Sequence, residues 1–112
     1  MNRAWIILFI AGLCEITWAI AMDYSDGFSI WYWDVIVVVF LVISVVLLSK
    51  AIKAGLPIGT SYAVWTGIGA IGTIAVSVIL GNETMDVLKL IFVMMILGGI
   101  VGLQMTSEVN DG

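Results

Sequence analysis

The feature that most limits what this chain can become is its division into four apolar stretches separated by short polar breaks. They cover about 4–22, 32–49, 57–80 and 87–105, each near the ~20 residues a helix needs to cross the ~30 Å hydrocarbon core of a bilayer. The second is dominated by β-branched residues (VIVVVFLVISVVLL), which in water would favour a strand. In lipid, at this length, a helix is the one open-ended structure that satisfies its own backbone. The expectation is an all-α, multi-pass protein of the cell membrane, with residues 1–112 forming a single four-helix transmembrane domain.

Composition agrees with that reading. Hydrophobic residues make up 62% of the chain and charged residues 11%, where a soluble domain carries roughly a quarter charged. With no histidine and one cysteine, zinc, haem and iron–sulfur sites lack ligands and an intrachain disulfide is impossible. No Ser–His–Asp, Cys–His or glycine-rich nucleotide motif is present. No cofactor and no nucleic-acid partner is expected, and an enzyme is the least supported class.

The breaks carry loop chemistry: DYSDG at 23–27, KAIKAGLP at 50–57 and GNETMD at 81–86. Trp31, Tyr32 and Trp33 suit an interfacial aromatic belt. Arg3 ahead of an apolar run resembles the start of a signal peptide. No A-x-A cleavage site follows it and three more spans do, so the segment is read as a retained span. The tail SEVNDG is short and expected to be mobile. With the N-terminus in the cytoplasm, Arg3, Lys50 and Lys53 lie inside along with the tail. Lys89 alone is outside, near Asp23, Asp26, Asp34, Glu83 and Asp86. That positive-inside bias predicts one topology, with both termini cytoplasmic.

Inside the first span stands one carboxylate, Glu15, in AWIILFIAGLCEITWAIAM. A bare carboxylate at that depth costs about 2.5–3.5 kcal/mol on insertion scales, so the group is a functional candidate. A structural role, neutral and hydrogen-bonded between helices, is the alternative; a neutral polar residue would fill it at lower cost. Trp18 lies three positions on, on the same helical face. Ser44 is the hydroxyl in the apolar core of the second span. Tyr62 and Trp65 form another i, i+3 pair, with Ser61 and Thr66 beside them. Aromatic faces attract cations, and hydroxyls can hold a carboxylate in place. Taken singly, each aromatic more often packs or faces lipid, Ser44 more often bonds back to its own helix, and Cys14 reads as packing. Gly67, Gly69 and Gly72 thin one side of the third span. Gly98 and Gly102 make a G-x-x-x-G in the fourth, read as a contact between subunits.

Over essentially its whole length the chain resembles the small multidrug resistance transporters. The likeness is carried by AGLCEITWAIAM (11–22) and LPIGTSYAVWTGIGAIGT (56–73). Trp18 and the WTGIGA wording are similar to the guanidinium-exporter subtype. The resemblance implies an antiparallel dimer in which two glutamates line one pocket, and proton-coupled export of guanidinium-type cations. By position, Glu15 would bind proton and substrate in turn. Trp18, Ser44, Tyr62 and Trp65 would wall the pocket, and Gly12 would give it room. Members commonly have lysine where this chain has Asp23 and Gln104, and K-E-P wording where it has GNETMD; these positions flank the pocket. Single-gene members balance their loop charges and insert both ways. This chain is unbalanced, which favours a heterodimer with a homologous subunit of opposite topology over a homodimer. The other readings are a broader exporter of quaternary ammonium cations and a non-transporting membrane assembly subunit.

Overall fold

A computed structural model of the chain describes residues 3–106. Four helices account for most of them: α1 (Arg3–Tyr24), α2 (Trp31–Lys53), α3 (Ile58–Ile79) and α4 (Val87–Thr106). The fold is all-α, and each helix is long and apolar enough to cross a membrane. The expected mobility of the SEVNDG tail concerns positions outside the described residues.

The helix ends differ from hydropathy-based expectation where polar residues extend a helix. α1 continues through Asp23 to Tyr24, and α2 runs past Ser49 to Lys53. Lysine and alanine are good helix formers, and Lys50 and Lys53 place positive charge at the carbonyl end, where the helix dipole favours it. The Ala54 N–H closes that end on the carbonyls of Lys50 and Ala51. Pro57, with φ −61°, stands at the N-cap of α3, where its missing N–H costs nothing. Asp86 begins α4, its carboxylate accepting the Lys89 N–H at 2.8 Å. The Lys89 ammonium turns back onto Glu83 at 3.0 Å and the Thr84 carbonyl at 2.8 Å.

The α1–α2 connection is tied at several points. Asp26, Gly27 and Phe28 all have positive φ, a run that reverses the chain within a few residues. Ser25 is fully buried and its hydroxyl donates to the Asp34 carboxylate in the first turn of α2. Tyr24 stacks on Trp33 with ring centroids 5.2 Å apart, and its hydroxyl accepts from Asn82 in the α3–α4 loop. Trp33 is thus turned inward, while Trp31 and Tyr32 remain exposed at the end of the bundle.

The short connections make successive helices run up and down. α1 packs on both α2 and α3, α2 and α3 touch lightly, and α4 meets α3 alone among the described residues. The Cα trace is accordingly a flat body of 44 × 35 × 19 Å. Its core lies where α1, α2 and α3 meet, around Leu8, Ala11, Leu48, Val64 and Trp65. α4 has no buried residue.

The α3 glycines fall on two faces rather than the expected one. Successive residues turn about 100°, so Gly67 and Gly69 point roughly 200° apart. A methyl at Gly67 would lie 2.9 Å from Ile100 of α4. At Gly69 and Gly72 it would meet Glu15 and Ile16 of α1. The glycines therefore let α3 approach a neighbour on either side.

Candidate functional site

Glu15 lies two turns above the middle of the α1 core contacts, half-buried, and the α1–α3 packing places it. A methyl on Gly69 would stand 2.5 Å from its Cγ, so the carboxylate stem passes over the bare backbone of α3. The Trp18 indole N–H, one turn along α1, donates to Glu15 Oε1 at 2.5 Å. This bond to a charged acceptor is of the stronger kind, and it offsets part of the cost of holding a carboxylate away from bulk water. No basic side chain pairs with Glu15 among the described residues; the one ion pair there joins Lys89 to Glu83.

A second constellation crosses the three packed helices. The Trp65 indole N–H donates to the Ser44 hydroxyl at 2.9 Å, and that hydroxyl donates to the Ala11 carbonyl at 2.8 Å. Both side chains are buried, so this chain of bonds satisfies groups that water cannot reach. Its end point matters for the carboxylate. In an α-helix the Ala11 carbonyl also accepts the N–H of Glu15, four residues on. Ser44 and Trp65 therefore meet α1 one turn from Glu15 through its backbone, and not through its side chain.

Tyr62 packs its ring against Trp65, with centroids 5.6 Å apart and planes at 50°, yet is 59% exposed. It extends the aromatic surface outward from the helix triplet. Gly12 is buried, but a methyl there would meet Ile68 at 2.5 Å; the room expected for a pocket is filled by α3 within one subunit. Gly98 and Gly102 are the reverse case, with open space where a side chain would stand. Ser61, only noted beside Tyr62 in the sequence, is fully buried and its hydroxyl has no hydrogen-bond partner among the described residues. Thr66 faces outward.

Two grooves of 420 and 470 Å³ run along the bundle, and Glu15 lines neither. The carboxylate instead is half-buried against α3, in a slab 19 Å thick. Sequence reasoning missed the two groups that fix this arrangement: the Ala11 carbonyl and the backbone of Gly69. The first is invisible because every residue has a carbonyl. The second had a signal in the WTGIGAIGT run, but the face it presents depends on the register of α1 against α3.

Together these features define a polytopic helical membrane protein with one carboxylate in the interior of its spans, flanked by tryptophan, tyrosine and serine. Residues 3–96 match the family model described as Small Multidrug Resistance protein. The chain belongs to that family. It is 48% identical over 104 residues to the guanidinium exporter of Yersinia pestis and 44% identical over 104 residues to that of Proteus vulgaris. Both matches cover 93% of this chain and 99% of the relative. Against the guanidinium exporter of Escherichia coli it is 43% identical over 105 residues, covering 94% of this chain and 99% of the relative.

Proposed function

We propose that this protein exports guanidinium and small guanidinyl cations across the cell membrane in exchange for protons, with Glu15 as the shared binding group. The observation that carries the reading is the mid-span carboxylate held by Trp18 with no cation paired to it. Full-length likeness to relatives named guanidinium exporter supports the choice of substrate. The chain reads as a transporter and not as an enzyme.

Guanidinium is planar, carries only donors, and matches a carboxylate through paired N–H bonds. A proton and this cation compete for the same two oxygens, so binding one expels the other. The Trp18 N–H orients one Glu15 oxygen and leaves the second for the cation. The exposed Tyr62 ring, packed against the buried Trp65, offers a π-face where the cation's plane can rest. Ser44 and Trp65 hold the backbone of α1 at the turn that carries the carboxylate. If the site changes sides only when loaded, the inward proton gradient drives the cation out.

A slab 19 Å thick needs a second chain to close over Glu15. The proposed assembly is an antiparallel dimer in which two glutamates share a chamber, with the open Gly98–Gly102 face of α4 available for the contact. Because Arg3, Lys50 and Lys53 favour a cytoplasmic N-terminus, the partner proposed is a homologous subunit inserted the other way.

Proteoliposomes test the whole reading. Guanidinium entering protein-loaded vesicles should expel protons, tetramethylammonium should do so far less, and Glu15→Gln should abolish the exchange. Guanidinium transport without proton release, or coupled exchange surviving with all pocket glutamates neutralised, would refute the mechanism. Strong proton release by tetramethylammonium would point to the broader exporter. No transport by the wild-type complex, with the fold intact, would point to an assembly subunit.

A further inference from the structure

The 420 Å³ groove lies apart from the Glu15 carboxylate and opens at the edge of the helix core, whose Trp5, Leu8 and Val64 help to line it. Among the described residues the backbones of α1 and α4 stay apart, and between them α3 forms a floor. Its walls are apolar: Trp5, Phe9 and Ile16 on α1, Ile68 and Gly72 on α3, Leu97 and Ile100 on α4. Among the described residues Gln104 is the one hydrophilic side chain in the lining; it lies in the last turn of α4, at the end of the bundle that also holds Trp5. From Trp5 to Ile16 is 11 residues, or about 16 Å of helix, close to the ~15 Å depth of one leaflet's hydrocarbon. The groove thus begins at one membrane surface and stops near the midplane.

We infer that this groove seats one acyl chain of an anionic phospholipid from the leaflet on the Arg3 side. The occupant follows from where the polarity lies. An apolar channel one leaflet deep, open to hydrocarbon and polar only at its surface end, has the form of a lipid tail beneath a headgroup. The described charges at that end are basic, Arg3, Lys50 and Lys53, whereas the described loop acids are all at the other end. Basic side chains near the surface attract anionic headgroups. A helix from a second copy fits less well, since Phe9 and Leu97 project from the rims without offering the small residues that close helix approach needs. A bound tail would wedge α1 against α4, which otherwise hangs on α3 alone.

The test uses full-length protein in vesicles of phosphatidylcholine and phosphatidylglycerol, with a phosphatidylglycerol carrying a diazirine in its acyl chain as probe. Peptide mapping after illumination should place adducts on Phe9, Leu97 or Ile100 at several times the frequency found on the lipid-facing α2 positions Val42 and Val46. Excess unlabelled phosphatidylglycerol should suppress those adducts more than equal phosphatidylcholine does. Leu97→Trp, which fills the groove, should lose most of the adducts while guanidinium–proton exchange persists. Adducts spread evenly over α2 and α4 would overturn the inference. So would a disulfide formed between copies through Leu97→Cys, which would put a protein chain in the groove.

Discussion

Replacing Gly69 by alanine separates the role of α3 as a packing surface from its role as the seat of the carboxylate. The new methyl would lie 2.5 Å from Glu15 Cγ and 3.3 Å from its Cβ. These are mid-chain atoms, so the clash cannot be relieved by swinging a free end aside. Either the helices part, at the ~1–3 kcal/mol typical of overpacking, or Glu15 takes another rotamer. The second route breaks the bond from Trp18. A hydrogen bond to a charged group contributes about 1.5–3 kcal/mol, and ~1.4 kcal/mol is a factor of ten in affinity. Guanidinium binding should therefore weaken roughly ten- to hundredfold.

Gly72→Ala is the control. Its methyl would overlap Ile16 Cδ1 and lie 2.5 Å from Cγ1, a harder clash by distance. Cδ1 ends a side chain that borders the 420 Å³ groove and can turn into it. The effect should fall on thermal stability, be largely reversed by Ile16→Ala, which removes both clashing atoms, and leave affinity within a few fold of wild type. Calorimetric titration with guanidinium and thermal unfolding followed by circular dichroism measure the two quantities independently. Wild-type affinity together with wild-type stability in Gly69→Ala, or the same loss of affinity in both variants, would refute the placement of Glu15 over Gly69.

Ser44→Ala should lower stability by about 1–3 kcal/mol, because it strands the buried Trp65 N–H and removes a donor to the Ala11 carbonyl; chemical unfolding of the purified protein reads this. Gly98→Ile and Gly102→Ile should leave the helix content of one chain unchanged, since nothing stands within 4 Å of either added methyl, yet reduce assembly measured by in-membrane cross-linking. In a Cys14→Ala background, a cysteine at position 26 should react with impermeant reagent only from outside intact cells, and one at position 53 only from inside. Equal labelling of either from both sides would contradict the single topology.

The spans were legible because hydropathy and length encode the bilayer directly. Their ends were less so. Lys50–Lys53 look like loop to a hydropathy reading and are helix in the structure, because charge ends the apolar run without ending the hydrogen-bond ladder. The polar members of the site could also be picked out, since Glu15, Trp18, Ser44, Tyr62 and Trp65 are conspicuous in or beside apolar runs. What they touch was not legible. Ser44 reaches a backbone carbonyl and not the carboxylate, and no side-chain pattern announces that. The glycines divide between two neighbours because only the register of α1 and α4 against α3 decides which face each one presents. Gly12, expected to open a pocket, serves instead to admit Ile68.

The same register explains why one chain is only half of the proposed device. α1 is fixed on its two packed sides, by Ser44 and Trp65 at Ala11 and by Gly69 and Gly72 beneath Glu15 and Ile16. The carboxylate is thereby held against its own subunit, with Oε1 engaged by Trp18, while the Tyr62 ring is exposed. A rigid half-site of this kind suits alternating access by movement between chains. Each subunit can rock as a body without disturbing its own carboxylate, and the cation is sealed on one side or the other by the partner's surface. The charge distribution then sets a condition on that partner. Arg3, Lys50 and Lys53 stand at one end, whereas Lys89 at the other is already engaged by Glu83 and the Thr84 carbonyl. Under the proposed single topology, the inverted counterpart would be a second polypeptide whose basic residues lie at the opposite ends of its helices.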